Sequence, residues 1–140
     1  MGFLDGLLGK ETYDTSREIP SSRDFPSKEI IISKKDLDGL SERFPFIFLD
    51  FHAHWCVPCK KMAPKIKWLA RELKGEVLVC TVNVENEKEI ADRFKVLSVP
   101  TYVLIHYGKV IGRWQGKTDI NRISKELNGH CRRFKQQMNE

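Results

Sequence analysis

The sequence predicts an α/β fold in which a mixed β-sheet of five strands is flanked by four helices. Strand-forming runs alternate with helical runs along the chain, in the order β-α-β-α-β-α-β-β-α. This alternation is typical of a largely parallel sheet with helices on both faces. The last two strand runs are separated only by Gly108 and Lys109, and so short a spacing indicates an antiparallel hairpin. The predicted sheet is therefore mixed.

The length and composition indicate one globular domain preceded by an extension. The chain has 140 residues, of which 41% are hydrophobic and 31% charged. A chain of this length has room for one domain with its own core but not for two. Residues 1–27 contain prolines, serines and many charges, with little periodicity after Leu8. We therefore expect an N-terminal extension over residues 1–27 and a single domain over residues 28–140.

The first half of the domain contains three apolar strand runs and two helical runs. The strands are expected at residues 29–33, 46–53 and 77–84. The helices are expected between Ser33 and Pro45 and over residues 59–73. Residues 46–53 are apolar at every position except Asp50 and His52, which is typical of a buried central strand. Pro64 lies inside the second helix and should kink it.

The second half contains a short helix, the hairpin and a final helix. The strands are expected at residues 101–107 and 110–114, and the helices at residues 87–94 and 120–138. The final helix has the clearest apolar stripe, with steps of three and four residues. The stripe comprises Ile120, Ile123, Leu127, Cys131, Phe134 and Met138.

Charge and apolar content exclude several kinds of partner. The formal net charge is +5, but the basic residues are spread through helical stretches and are not interleaved with aromatic ones. A platform for single-stranded nucleic acid combines the two, so we expect no nucleic-acid partner. No apolar run approaches the roughly 18 residues of a membrane span. The first residues also lack the basic start, continuous apolar run and cleavage site of a signal peptide, and we expect a cytoplasmic protein.

Residues 2–9 could form a short amphipathic arm. Phe3, Leu4, Leu7 and Leu8 share one face if this segment is helical, as in an anchor for a membrane surface or a partner groove. So short a segment does not hold a helix alone in water, and it has little positive charge to attract anionic lipid. We therefore favour an arm without membrane contact.

A pair of cysteines marks the candidate site. Trp55-Cys56-Val57-Pro58-Cys59 follows the predicted buried strand and opens the second helix. The unpaired N–H groups and the dipole at a helix N terminus stabilise a thiolate at Cys56, and a thiolate is the attacking species in disulfide exchange. Cys59 lies one turn further on and can reach the Cys56 sulfur. The pair is therefore predicted to alternate between dithiol and disulfide.

A metal site is the main alternative use of these cysteines. Zinc needs four ligands, usually with a second Cys or His pair. Cys80 and Cys131 lie in separate apolar elements and are expected to be core residues. His52 and His54 could join the cysteine pair, but they point to one side of a strand while the cysteines turn into the helix. We expect redox chemistry without a metal or other cofactor, and a non-enzymatic metal-binding or scaffold domain is the alternative.

The cysteine pair belongs to a longer pattern. The pattern comprises residues 48–64 (FLDFHAHWCVPCKKMAP), Val99-Pro100-Thr101 and Gly116. It resembles the active-site strand and helix, the cis-proline loop and the glycine after the last strand of the thioredoxin family, over about residues 28–137. The resemblance implies a thioredoxin fold and a thiol-disulfide oxidoreductase. Such a protein reduces the disulfides of protein substrates and is itself reduced by a separate thioredoxin reductase.

The resemblance also implies roles for single residues. Asp50 matches the buried carboxylate beneath the second cysteine, where burial should raise its pKa and fit it to exchange a proton with Cys59. Pro100 would be cis and would place the Val99 backbone beside Cys56, where it can pair with an extended substrate segment. The residues expected to bind the protein substrate are Trp55, Val57, Pro58, Val99, Pro100, Thr101 and Gly116.

Several positions depart from the family pattern. His52 replaces a Trp or Tyr and His54 an acidic residue, so two imidazoles could add positive charge, favour the thiolate and raise the reduction potential. Val57 replaces a Gly and should alter the docking rim. Thr81 replaces a Lys that is often paired with the buried Asp. A disulfide oxidase or isomerase of an exported compartment is the second interpretation, which Pro58 opposes because oxidising members usually carry a His there.

Overall fold

The computed structural model describes residues 25–26 and 29–138. The arm proposed over residues 2–9 and most of the predicted extension lie outside these residues. The strands are β1 (Ile30–Ile31), β2 (Phe46–His52), β3 (Leu78–Asn83), β4 (Thr101–His106) and β5 (Lys109–Gln115). The helices are α1 (Lys34–Arg43), α2 (Val57–Glu72), α3 (Lys88–Arg93) and α4 (Ile120–Met138). None of these helices has both the length and the apolar content to cross a membrane.

The five strands form one sheet in the order β1-β3-β2-β4-β5. β1 and β2 both pair with β3 in parallel, whereas β4 is antiparallel to β2 and to β5. β2 therefore has a strand on each side, which explains why its sequence is apolar on both faces. The predicted fold, a mixed five-stranded sheet flanked by four helices, is confirmed.

One apolar core lies on each face of the sheet, and β2 contributes to both. The core beneath α1 and α3 contains, from β2, Ile47, Leu49 and Phe51. The core beneath α2 and α4 contains, from β2, Phe46 and Phe48. Because side chains alternate along a strand, Asp50 and His52 continue the row that faces α2. The two polar residues of the central strand thus lie on the side of the cysteine helix.

The start of α2 differs from the sequence prediction for a local reason. The helix begins at Val57 rather than at residue 59, because Cys56 is its N-cap residue and its sulfur accepts a hydrogen bond from the Cys59 N–H. Pro58 fits the first helical turn, where its missing N–H has no helical partner to lose. Pro64 lies inside the helix, which continues through it.

The turn of the β4–β5 hairpin also differs from the prediction. Tyr107 and Gly108 form it, with φ of 47° and 85°, whereas Gly108 and Lys109 were expected. Two successive residues in the left-handed region match the twist of a two-residue hairpin. Lys109 is instead the first residue of β5 and pairs with His106.

Phe25 connects the described end of the N-terminal segment to the domain. Its side chain is 5% exposed and meets Phe44 edge-on, with 5.0 Å between ring centroids. The same core contains Leu37 and Leu40 of α1. Phe25 therefore contributes to the core of the domain although it falls within the predicted extension over residues 1–27.

Candidate active site

The cysteine pair lies where the central strand passes into α2. Cys56 and Cys59 form a disulfide, with 5.3 Å between their Cα atoms. The Cys59 N–H donates a hydrogen bond to Cys56 Sγ at 3.2 Å. A helix N terminus carries partial positive charge and unpaired N–H groups, and here one of those groups points at the Cys56 sulfur. This geometry stabilises a thiolate at Cys56 once the pair is reduced.

Both sulfur-bearing residues are shielded from solvent in the disulfide form. Cys56 is 2% exposed and Cys59 is 9% exposed. They pack with Ala53, and Val84 and Val99 close over the same small cluster. Exposure therefore does not distinguish the two cysteines, whereas the hydrogen bond at the helix start is made to the Cys56 sulfur.

The loop before β4 lies against the pair and is held by two hydrogen bonds. The Val99–Pro100 peptide bond is cis, as the family resemblance implies. The Thr101 hydroxyl donates to the Ser98 carbonyl at 2.7 Å, and the Gly116 N–H donates to the Pro100 carbonyl at 2.8 Å. Gly116 has φ of 73°, a left-handed backbone that favours glycine. These contacts fix Val99 beside the cysteines.

Apolar side chains next to Cys56 in the sequence and in the loop before Pro100 face solvent. Trp55 is 61% exposed and Val57 is 58% exposed. Leu97, which the sequence interpretation did not include, is 95% exposed in the loop that leads to Pro100. A leucine next to the Val-Pro-Thr motif was the only sequence signal for it. Isolated apolar residues are common on surfaces, but a group of them next to a reactive site indicates a docking surface.

Thr101 requires a correction among the predicted contacts. It is fully buried, and its hydroxyl is bonded to the Ser98 carbonyl. Its side chain is therefore covered in this conformation, and its hydroxyl helps to hold the loop. Pro100 is also buried, whereas Pro58 is exposed and Val99 and Gly116 are half-buried.

Asp50 is the buried carboxyl of the site. It is 8% exposed, and its pKa is raised to about 7, first by burial and second by the negative charge of Glu29. The predicted rise of its pKa is thus present, and Glu29 is a cause that the sequence did not reveal. Across the parallel register, the neighbour of Asp50 on β3 is Thr81.

A groove of about 790 Å³ connects Asp50 to the surface. It lies between the β1–β3 side of the sheet and α2. The residues of its lining that matter for the chemistry are Glu29, Asp50, His52, Cys59, Thr81 and Asn83. The groove therefore joins the second cysteine, the buried carboxyl and one imidazole in a single solvent-connected space.

The two histidines near the pair have different surroundings. The backbone N–H of His54 and its ring Nδ1 both contact Glu85 Oε1, which lowers the pKa of that carboxyl. His52 is half-buried, and burial lowers the pKa of its imidazole while Glu85 opposes the shift. Burial favours the neutral form of His52 and so acts against the expected positive charge near neutral pH.

The structure also shows where the other two cysteines lie and whether the described side chains could hold a metal ion. Cys80 and Cys131 are free thiols buried in the two cores, and burial raises the pKa of both thiols. Their predicted place in the core is confirmed. Within residues 25–26 and 29–138, no three His, Cys, Asp or Glu side chains are arranged to hold a metal ion.

The helix-capping cysteine pair, the buried carboxyl and the cis-proline loop together define a class of protein that carries out dithiol–disulfide exchange. The family model described as Thioredoxin matches residues 38–129. Thioredoxin 1 of Chlorobaculum tepidum is 38% identical over 81 residues, which cover 58% of this chain and 80% of the relative. The thioredoxin of Haemophilus influenzae is 37% identical over 84 residues, covering 60% and 78%. The chain belongs to the thioredoxin family.

Solved structures agree with this assignment. The thioredoxin of Fasciola hepatica superposes with a TM-score of 0.66 at 32% identity, covering 73% of this chain and 98% of that one. A mutant thioredoxin from Halobacterium salinarum has a TM-score of 0.71 at 23% identity, covering 76% and 94%, and at that identity it supports the fold alone. The predicted function is confirmed at the level of the family: the chain is a thiol-disulfide oxidoreductase that reduces protein disulfides.

Proposed function

We propose that Cys56 is the attacking thiolate, that Cys59 resolves the mixed disulfide and that Asp50 accepts the Cys59 proton. The observation that carries this assignment is the hydrogen bond of 3.2 Å from the Cys59 N–H to Cys56 Sγ. A donor at a helix start favours the charged form of the sulfur that it faces. Cys56 is the helix-capping residue, so the stabilisation acts on Cys56 and not on Cys59.

The reaction has two exchange steps. The Cys56 thiolate attacks one sulfur of the substrate disulfide, a Cys56–substrate disulfide forms, and the other substrate sulfur leaves as a thiolate. Cys59 then loses its proton and attacks Cys56 Sγ. The Cys56–Cys59 bond forms, the bond to the substrate breaks, and the second substrate sulfur leaves. The substrate disulfide gains two electrons and the cysteine pair loses two.

Asp50 suits the second step because of its environment. Cys59 and Asp50 line the same groove, and burial with the Glu29 charge raises the pKa of Asp50 to about 7. A proton acceptor works best when its pKa lies near the working pH. An aspartate with an ordinary pKa would be a weaker base for a thiol.

The docking surface that we propose combines exposed and half-buried apolar side chains with one backbone edge. The side chains are Trp55, Val57, Pro58, Leu97 and Val99, with Gly116 beside them. An extended substrate segment would pair with the Val99 backbone, as peptides add to exposed strand edges. Pro100 and Thr101 would support this edge from below. Apolar contact of this kind accepts many sequences, as a general reductase requires.

The cycle is completed by a partner. We propose that a separate thioredoxin reductase returns the Cys56–Cys59 disulfide to the dithiol, so that the chain transfers electrons between that enzyme and protein disulfides in the cytoplasm. The relatives named thioredoxin support this place in electron transport.

Trapping of mixed disulfides tests the assignment. In Cys59→Ser, covalent complexes with substrate proteins should accumulate on Cys56 and be released by dithiothreitol, because the resolving thiol is missing. Cys56→Ser should trap little. The double variant Cys56→Ser/Cys59→Ser is the matched control for background reaction of Cys80 and Cys131. Equal trapping in the two single variants would show that the roles are assigned wrongly.

A further inference from the structure

Two pairs of polar residues on the neighbouring strands β2 and β3 line the groove. Asp50 and His52 are two residues apart on β2 and face α2, and their register partners on β3 are Thr81 and Asn83. Cys59 reaches the same groove from α2. His52 is the last residue of β2 and is half-buried, so it lies between the buried carboxyl and the solvent-facing end of the strand.

Asp50 needs a route for its proton. In each reaction cycle it takes a proton from Cys59 and must release it before the next. The groove reaches Asp50, but only 8% of the residue is exposed, so little of it can meet water directly. Thr81, its register partner on β3, has a hydroxyl but no group that ionises near neutral pH. Tyr102, its register partner on β4, has its pKa raised by burial and by the Asp50 charge, so it stays a phenol. His52 is the next titratable group along the strand.

We propose that His52 is a proton-relay residue that takes the Cys59 proton from Asp50 and passes it to water in the groove. It acts through Asp50 and is not itself a catalytic residue. The inference rests on the roles proposed above for Cys56, Cys59 and Asp50, and it assigns a purpose to a histidine that departs from the family pattern.

The charged groups around the groove leave His52 able to accept a proton. Burial lowers the pKa of its imidazole, and Glu85 acts in the opposite direction. Lys60 and Lys67 line the groove from α2. Glu29, which directly precedes β1, also lines the groove. His54 contacts the Glu85 carboxylate at the ends of β2 and β3. A neutral imidazole in contact with water is a suitable intermediate acceptor.

The proton balance of the second step is then complete. The Cys59 thiol gives its proton to the Asp50 carboxylate, and the thiolate attacks Cys56 Sγ and expels the substrate sulfur as a thiolate. Asp50 passes the proton to a ring nitrogen of His52, and His52 releases it to groove water. The leaving thiolate takes a proton from solvent. The substrate disulfide is the oxidant, so no further reactant is needed.

Stopped-flow reaction of the reduced protein with dithiobis(nitrobenzoate) separates the two steps. The first release of coloured thiolate reports attack by Cys56, and the second reports resolution by Cys59. In His52→Gln the second release should slow by about fivefold or more near pH 7, below the full effect of direct acid–base catalysis, while the first stays within about twofold. His52→Trp, which carries the side chain common in the family, should behave in the same way. Added imidazole should restore part of the rate in His52→Ala.

The matched control is His106→Gln. His106 is half-buried and burial lowers its pKa, but it lies opposite Phe46 at the far end of β2, and its replacement should leave both releases unchanged. In an Asp50→Asn background, His52→Gln should cause no further slowing. A second release unchanged in His52→Gln, or slowed equally with and without Asp50, would overturn the relay. A first release that depends on Cys59 rather than Cys56 would instead refute the proposed function.

Discussion

Asp50 and Thr81 are register partners on the adjacent parallel strands β2 and β3, so a neutral hydroxyl lies beside the buried carboxyl where the family often has a lysine. The charge that acts on Asp50 is that of Glu29, which is negative. Glu29 Oε2 is itself shielded from solvent and has no hydrogen-bond partner within the described part of the chain. Burial and this charge act in the same direction, and the pKa of Asp50 is about 7.

The first prediction concerns stability. The folded state holds the Asp50 proton up to a pH of about 7, whereas the unfolded chain loses it near the ordinary pKa of 3.8. Between these values the folded protein binds more protons, so the free energy of unfolding falls as the pH rises. Asp50→Asn removes this loss and should stabilise the protein at pH 8 by roughly 2–4 kcal/mol.

Urea unfolding of both proteins at pH 5 and pH 8 measures the effect. The stability difference between Asp50→Asn and the parent should grow with pH. Asp92→Asn, at an exposed position of α3, is the control and should change stability equally at both pH values. A difference for Asp50→Asn that is the same at pH 5 and pH 8 would contradict the raised pKa.

The second prediction places a cation beside Asp50. Thr81 lines the groove, so a longer side chain has room there. In Thr81→Lys the ammonium should favour the carboxylate and lower the pKa of Asp50 by about one unit or more. The Asp50 carboxyl carbon, followed by NMR across pH 4–9, reports this pKa. Thr81→Met has similar length without charge, and an equal shift in both variants would attribute the effect to packing rather than to charge.

How much of the site could be predicted from the sequence depends on how far apart the interacting residues lie along the chain. The cysteine pair, Asp50 and Pro100 were predictable because each belongs to a short motif whose order along the chain sets its place in the fold. Glu85 was not, because its contact with His54 joins residues 31 apart at the ends of β2 and β3. The same holds for Glu29, which acts on Asp50 from outside β2 and β3.

Burial was the other quantity that the sequence did not specify. His52 lies on the central strand, where burial lowers the pKa of its imidazole and disfavours the positive charge that its residue type suggested. Thr101 is adjacent to the cis-proline and was expected to touch substrate, yet the sheet covers it. Leu97 shows the opposite case, since an apolar residue that would suit a core is 95% exposed. Each outcome depends on neighbours that are distant in sequence.

The third prediction concerns the reduction potential. His54 is exposed and in contact with Glu85, so any charge that it carries is balanced and screened by solvent. Burial lowers the pKa of His52 and disfavours its charged form. Neither histidine then stabilises the Cys56 thiolate strongly, and the potential should lie nearer to about −270 mV, as in thioredoxin, than to about −120 mV, as in the oxidant DsbA.

Equilibration of the Cys56–Cys59 pair against glutathione buffers measures this potential. His54→Ala should shift it by less than about 30 mV, which corresponds to about 1.4 kcal/mol for two electrons. Glu85→Gln is the companion variant, because it leaves His54 without its carboxylate. A parent value on the oxidising side of about −180 mV, that of protein disulfide isomerase, would exclude a general reductase.

The last prediction tests the boundary between the extension and the domain. The residues assigned to the chemistry begin at Asp50. Deletion of residues 1–24 should therefore leave insulin reduction within about twofold and stability nearly unchanged. Deletion of residues 1–27 also removes Phe25, whose ring packs against Phe44 in the core. That variant should lose about 3–5 kcal/mol of stability, as for other buried aromatic side chains, and should keep its activity at temperatures where it is folded.

Phe25→Ala in the full chain is the matched control, because it removes the ring and keeps the extension. Its loss of stability should equal most of the difference between the two deletions. If deletion of residues 1–24 lowers insulin reduction severalfold while the fold is intact by circular dichroism, the extension shapes the site and the domain boundary is wrong. If both deletions are equally stable, the contact between Phe25 and Phe44 contributes nothing to the folded domain, and residues 28–140 are the complete folding unit.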